Sequence, residues 1–453
     1  MSVNDFAAPK VFECPLSTRS GRCTLRAVGW HQYETTHHEA YIALCVNFAS
    51  GRKMDISAAY LPWDVFAPAQ ANEGGKPRVF IAPQRYIQGK GVLAHLSRYL
   101  SLVNATRVAV LISERGSRTD GAPALDGMRG AGLETHVSIF RGECSLEEIE
   151  RHVEALANRK IECLVAIGGG KCVDAGKAVA HRLGIPVVIA PTLASNDAPC
   201  SALSVLYSSV GISTGVEFYP TSPAIVVVDT GIVAAAPERY LVAGMGDAMA
   251  TWYEARICLL NEAAVTAVGA RPTLASCAIG ETCAHTLFKE GVAAAASVAK
   301  KDVSGSLENV VEANTLLSGL GFESGGVAAA HGLAQSFTAI AAVRENYLHG
   351  EMVAMGLLGQ LMMESRPDEA VRVAEFFASV GLPIHFGQIS LDPHDAVALD
   401  AIVEQTLAFP FLSNMPMKVD AEVVRKAVLA AHELGLRVAE RAGDAAYRRL
   451  HGK

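Results

Sequence analysis

Asp247, His331 and His349 are the side chains in this sequence best suited to holding a divalent metal. Two imidazoles and a carboxylate can grip such an ion and leave one position open for a substrate oxygen. They do not form a contiguous motif such as HExxH. By spacing alone, the reading is that Asp247 opens a helix as an N-cap after Gly244-Met245-Gly246 and that both histidines are structural. A second chemistry is offered by Gly168-Gly169-Gly170-Lys171, set between an apolar run and a helical stretch. Glycines let backbone N–H groups approach a phosphate, and a helix start favours an anion. The run is neither GxGxxG nor a Walker loop, so an ordinary strand-to-helix turn stands beside that reading. A third stretch, Ala190-Pro191-Thr192-Leu193-Ala194-Ser195-Asn196-Asp197-Ala198-Pro199, places small hydroxyl residues after another apolar run. Open α/β sheets bind ligands at the carboxyl ends of their strands. The alternative is a proline-bounded turn in which Asp197 bonds its own backbone. Glu114 follows the run Arg107–Ile112, where a carboxylate can accept both hydroxyls of an adenosine ribose and repel a 2′-phosphate. A solvated loop charge is its other reading.

The elements that must position these groups fall into three compositions. Residues 1–77 hold one strand-like alternation, Ile42, Leu44, Val46 and Phe48, and end in the loop-like run Gln70 to Pro77, so a small β-rich extension is expected. From 78 to 237 strand and helix signals alternate: strands at Arg107–Ile112, Glu134–Phe140, Leu164–Ile167, Val187–Ala190 and Ala224–Val228, a helix capped by Ser145 and Glu148, and another from Lys171 to Leu183. That order implies a mostly parallel sheet covered on both faces. From 238 to 453 helical patterns dominate, as in Met249–Leu260, Asn309–Leu320 and the face marked by Val424, Ala427, Val428 and Ala431. The expected fold is therefore α/β plus all-α: a Rossmann-like parallel-sheet domain followed by a helical domain.

Composition narrows the function classes. The 453 residues are 50% hydrophobic and 19% charged with a net charge of −7, which supports a large core and gives no reason to expect nucleic acid or an anionic membrane as partner. Neither a signal-peptide pattern nor a membrane-length apolar run is visible, and the ten scattered cysteines include no CxxC pair. A cytoplasmic enzyme with reduced thiols is the expectation.

Taken together, several collinear stretches resemble the glycerol dehydrogenase family, within the iron-containing alcohol dehydrogenase-like group. They are Tyr86-Ile87-Gln88-Gly89, AIGGGK with Asp174 and Lys177, APTLASNDAPCSALSVLYS, GMGDAMATWYEAR, ANTLLSGLGFESGGVAAAH, the HGE at His349, and Asn414-Met415-Pro416. The resemblance implies NAD in the α/β domain, with Gly169, Gly170 and Lys171 at the pyrophosphate and Thr192, Ser195, Ser201, Leu203 and Tyr207 lining the dinucleotide site. It puts Glu114 at the adenosine ribose, where the family usually has Asp, and Asp197 at the substrate. Asp247, His331 and His349 fall on the family's zinc ligands, a set that suits iron(II) as well. A small alcohol or diol as substrate and a homo-oligomer, an octamer, are implied in the same way.

Departures from the family pattern set further expectations. Where the family reads His-Ala-x-His-Asn-Gly, this chain reads His331-Gly332-Leu333-Ala334-Gln335-Ser336, so Ala334 replaces a histidine near the substrate. A less hydroxylated alcohol than glycerol would suit a pocket with fewer polar groups. The extension 1–77 lies ahead of the family's usual start and suits a subunit contact, a cover over the cleft or a partner-binding appendage. His37-His38 within it has no third ligand nearby in sequence. Two other functions compete: a dehydroquinate synthase-like lyase, which needs several basic phosphate-binding groups where the sequence offers Lys300, Lys301 and Arg344, and a degenerate nucleotide-binding assembly subunit.

Overall fold

The structure is a computed structural model that describes residues 60–66, 75–209 and 211–452. The strand expected around Ile42 to Phe48 and the His37-His38 pair lie outside the described residues. The part of the extension that is described holds a short helix, Pro62–Phe66.

Among the described residues there are eight strands: β1 (Tyr86–Gly89), β2 (Arg107–Ile112), β3 (Glu134–Ile139), β4 (Cys163–Gly168), β5 (Val187–Pro191), β6 (Leu203–Tyr207), β7 (Ser213–Phe218) and β8 (Ile225–Asp229). Six make a parallel sheet in the order β1-β8-β5-β4-β2-β3, and β6–β7 form a separate antiparallel hairpin. The inner strands β2, β4, β5 and β8 are buried along nearly their whole length. Their unbroken apolar runs follow from helices covering both faces of the sheet. The chain leaves β2 in one direction across the sheet, to β3, and leaves β4 in the other, to β5. The register from Val108↔Cys163 to Ile112↔Ile167 sets the carboxyl ends of β2 and β4 side by side at this switch point. Helix α1 (Gly170–Leu183) starts there, directly after β4.

The second half is helical. Helix α2 (Glu238–Leu260) packs against Leu274–Ala299, and α3 (Ala329–Phe337) against α4 (His349–Met363). The expected N-cap role of Asp247 is corrected here: Asp247 lies in the middle of α2, inside its 23 residues. The glycines before it serve packing instead of a helix start. A Cβ on Gly244 would come within 2.0 Å of the Ala194 carbonyl, and one on Gly246 within 2.3 Å of the Gly350 carbonyl. Each glycine lets a neighbouring backbone touch the helix where any side chain would collide. The helix expected over Asn309–Leu320 is built as three pieces, Gly305–Glu312, a π-helical turn Ala313–Leu317, and Ser318–Gly325. The π turn aims Asn314 at the seam between the halves, where its amide donates to Ala194 O (2.9 Å) and Leu241 O (3.0 Å). No helix among the described residues is long and apolar enough to cross a membrane.

Candidate active site

A cleft of about 1700 Å³ opens between the carboxyl ends of the sheet strands and the helices that carry His331 and His349. One end is made by backbone. Gly169 precedes α1 in an extended conformation with no side-chain cap, so the first N–H groups of the helix face the cleft without a side-chain acceptor. Thr192 N donates to Gly168 O (3.0 Å), tying the two strand ends together. A Cβ on Gly170 would stand 2.5 Å from the Asn196 amide, so glycine lets that side chain close the wall here.

Gly169, Gly170, Lys171, Thr192, Ser195, Ser201, Leu203 and Tyr207 all line this cleft. Two of them are already committed. Lys171 Nζ donates to Glu143 (2.7 Å) and lies 5.0 Å from the centre of the Tyr207 ring. Ser201 Oγ accepts from the buried Lys177 and donates to Ala198 O, both at 3.2 Å. Lys177 itself pairs with Asp174 at 2.9 Å. Glu114 is the exception. The wall beyond β2 carries Ser113, Arg115 and Gly116, while Glu114 turns outward into an ion pair with Arg118 at a side-chain exposure of 66%. Glu114 opens the short helix directly after β2, an exposed carboxylate flanked on both sides by residues that line the cleft.

The other end is made by side chains. Asp247 is buried, and neither of its carboxylate oxygens has a hydrogen-bond partner among the described residues. Its Oδ1 lies 3.6 Å from His331 Nε2 and 3.4 Å from His349 Nε2, and one ligand atom from each residue falls within 4.8 Å of the other two. A buried carboxylate left without donors is costly, and here two imidazole nitrogens converge on it from other helices. The donor set and its orphaned oxygens fit a divalent cation. His349 is the first residue of α4 and half-exposed, which keeps one side of the group open to the cleft.

Glu254 holds this arrangement and was not singled out from the sequence. It lies two turns after Asp247 on α2, fully buried. Its Oε1 accepts from the backbone of Ala328 (2.7 Å) and His331 (3.0 Å), and its Oε2 meets His331 Nδ1 at 2.5 Å. A carboxylate on Nδ1 fixes the ring so that Nε2 faces the metal position. The only clue in the sequence was the seven-residue interval between Asp247 and Glu254, which puts both acids on one helix face. Glu351 acts similarly on α4: it accepts from Leu348 N (2.8 Å), Arg239 (2.7 Å) and His451 (3.0 Å), anchoring the turn that carries His349.

Asp197 lies between the two ends. It lines the cleft and accepts from Ser318 Oγ at 3.3 Å. Burial, reinforced by the nearby charge of Asp247, pushes its pKa up to about 7. Ala334 is buried and does not line the cleft. The polar group offered by that helix next to His331 is the amide of Gln335, one residue on. Phe322, Val327, Phe409 and Phe411 form an apolar wall nearby.

With this geometry in view, the comparisons with known proteins are direct. The family of iron-containing alcohol dehydrogenases matches residues 83–230. A glycerol dehydrogenase of Escherichia coli O6:H1 is 41% identical over 362 residues, covering 80% of this chain and 98% of that protein. One from Thermotoga maritima is 42% identical over 357 residues, covering 78% and 97%. The crystal structure of glycerol dehydrogenase from Schizosaccharomyces pombe superimposes with a TM-score of 0.77 at 32% identity, covering 81% of this chain and 93% of its own. The chain belongs to the glycerol dehydrogenase family of iron-containing alcohol dehydrogenases, and is an oxidoreductase.

Proposed function

We propose that this chain transfers a hydride between NAD and a vicinal diol, polyol or related secondary alcohol, with a divalent cation, zinc before iron, held by Asp247, His331 and His349. The observation that carries the reading is the buried Asp247 carboxylate, orphaned of donors and faced by two imidazoles, in the same cleft as the glycine turn. A cation so held supplies Lewis acidity that lowers the pKa of a substrate hydroxyl, and a nicotinamide supplies the hydride acceptor.

The chain's own residues do the rest. The backbone at Gly169 and Gly170 binds the pyrophosphate, and Lys171, already balanced by Glu143, adds a positive edge without leaving a bare charge. Thr192, Ser195, Leu203 and Tyr207 shape the channel in which the dinucleotide lies, with Ser201 behind them. Asp197 accepts a hydrogen bond from a substrate hydroxyl and so orients the carbon that loses hydride. Glu254 keeps the His331 tautomer correct. The wall of Phe322, Val327 and Phe409 excludes water and favours a substrate with an apolar group beside its hydroxyls, in keeping with a less hydroxylated alcohol than glycerol.

Of the basic groups that the sequence offers to a phosphate-eliminating lyase, Lys300 and Lys301 do not line the cleft. Arg239 is bound by Glu351, and Arg344 donates to Thr338 O (3.0 Å). This supports the dehydrogenase over the lyase.

The test is NADH formation from NAD with glycerol, 1,2-propanediol, 2,3-butanediol and amino alcohols, before and after chelation, alongside metal content. One metal per chain and turnover that chelation abolishes and metal restores are expected, with 1,2-propanediol or 2,3-butanediol preferred over glycerol. A protein without metal and without turnover would overturn the reading in favour of a degenerate assembly subunit.

A further inference from the structure

We propose that the aromatic helix of the amino-terminal extension forms the outer layer of the cleft's apolar wall. Trp63 on that helix is a positioning residue that sets how large an alcohol the cleft admits. The proposal rests on the reading that the cleft oxidises an alcohol.

The extension lies ahead of the stretches that resemble the family, and no step of the proposed reaction uses it. Its described helix, Pro62–Phe66, opens on a proline, whose fixed φ suits a first helical position. Pro62 is buried, Tyr60, Trp63 and Phe66 are half-buried, and Asp64 and Val65 are exposed. The helix thus has one apolar face, and that face is covered. Tyr60, Trp63 and Phe66 pack into a small hydrophobic cluster, separate from the two larger cores of the molecule. The other side of the same cluster is the cleft. Leu203, Phe218, Val327, Phe409 and Phe411 belong to the cluster and also line the cavity.

Two contacts fix Trp63. Its ring meets that of Phe218 edge-on, with centroids 5.2 Å apart and planes at 79°. It also covers Gly269, where φ is +77° and a Cβ would stand 2.6 Å from the indole. Glycine at this turn lets the indole lie on the backbone. The loop around Gly269 is in turn joined to the metal end. The side-chain amide of Asn414 donates to Val265 O (2.8 Å) in this loop and to Val327 O (2.7 Å), just before the helix α3 that carries His331. The extension meets the same loop a second time, since Arg271 N donates to Pro77 O at 2.8 Å.

Packed side chains keep their places because the space behind them is filled. With the indole in place Phe218 has no room to withdraw, and the wall keeps the cleft narrow. Truncating Trp63 leaves a void into which the wall can retreat.

The test compares kcat/KM for 1,2-hexanediol and 1,2-propanediol on the metal-loaded, full-length protein. Trp63→Ala should raise the hexanediol-to-propanediol ratio by about fivefold or more, a fraction of what methylenes decide in an apolar pocket. The change should fall on KM, with metal content unchanged, because Trp63 acts through the wall and not on the metal-holding residues. Trp63→Phe keeps a ring against Phe218 and should leave the ratio within about twofold of the wild type. Should Trp63→Ala fail to fold, Trp63→Leu keeps an apolar filler without a ring and should move the ratio in the same direction. A ratio that neither Trp63→Ala nor Trp63→Leu moves, with only the melting temperature lowered, would overturn the proposal and leave the dehydrogenase reading intact. Turnover of no alcohol by the wild type would overturn both.

Discussion

The two ends of the cleft solve the same problem, presenting polar groups inside an apolar protein, with different materials. The dinucleotide end is built from backbone and small residues contiguous in the chain: a glycine turn, a helix start and the hydroxyls after β5. Its polar groups are peptide N–H groups whose positions the sheet dictates, and its charged members are neutralised locally, Lys171 by Glu143 and Lys177 by Asp174. The metal end is built from side chains on three helices far apart in the chain, with a carboxylate left bare and a second buried carboxylate, Glu254, steering one of its partners. Backbone sites depend on a few positions where a side chain would crowd the ligand or its wall. Side-chain sites depend on buried charges that each hold another in place.

This contrast can be broken most sharply at Glu254. Glu254→Gln keeps the shape and the acceptor for the Ala328 and His331 N–H groups, but its amide would donate to His331 Nδ1 and move the ring proton to Nε2. Metal affinity, measured by chelator competition, should fall by about 10- to 100-fold while the metal-free protein unfolds at an unchanged temperature. Equal affinity would show that the ring needs no such support.

At the backbone end the corresponding change is Gly170→Ala. The new methyl must displace the Asn196 amide, the end of a side chain that can rotate, so the effect is smaller. The KM for the dinucleotide should rise by about three- to tenfold, equivalent to roughly 1 kcal/mol, with metal content unchanged. A loss of metal would mean that the two ends are mechanically one unit.

The remaining effect concerns the seam, where stability changes and neither ligand site is touched. Glu323 is buried, accepts from Ala202 N at 2.8 Å and has its other oxygen without a partner. Burial pushes its pKa up to about 7. The folded chain then holds a proton that the unfolded chain has released, so this group's contribution to stability falls as the pH rises from about 4.5 to about 7. Glu323→Gln removes that slope. In denaturant titrations the variant should gain on the wild type across this window, by at most about 1.4 kcal/mol per pH unit, and hold a constant lead above it. A difference that does not change with pH would show the carboxyl to be ionised throughout.

Much of the architecture was legible because it is local. Arg107–Ile112, Val187–Ala190 and Lys171–Leu183 fall within a residue of the observed elements, since apolar runs and capping signals act over a few neighbours. Ser145 does cap its helix, accepting from Glu148 N, but the Glu148 side chain bonds Arg141 N instead of returning to Ser145, because a partner from outside the helix competes for it. Asp247 was misplaced at a helix start for a related reason. Gly-x-Gly before an acid reads locally as a helix beginning, while its actual cause, contact with Ala194 and Gly350, comes from distant segments. Glu114 lies directly beyond β2, where the strand pattern puts it, while its ion pair with Arg118 follows from the short helix that starts there.

The sequence by itself determined the alternation of strands and helices, the glycine turn after β4 and the candidate metal-holding side chains, because hydrophobic period, turn chemistry and donor type are properties of short segments. The tertiary structure alone decided that Asp247 meets His331 and His349 and that Glu254 stands behind His331. Those outcomes depend on which helix packs against which and on the direction of single Cα–Cβ bonds, quantities set by the packing of distant segments and not encoded in any one of them.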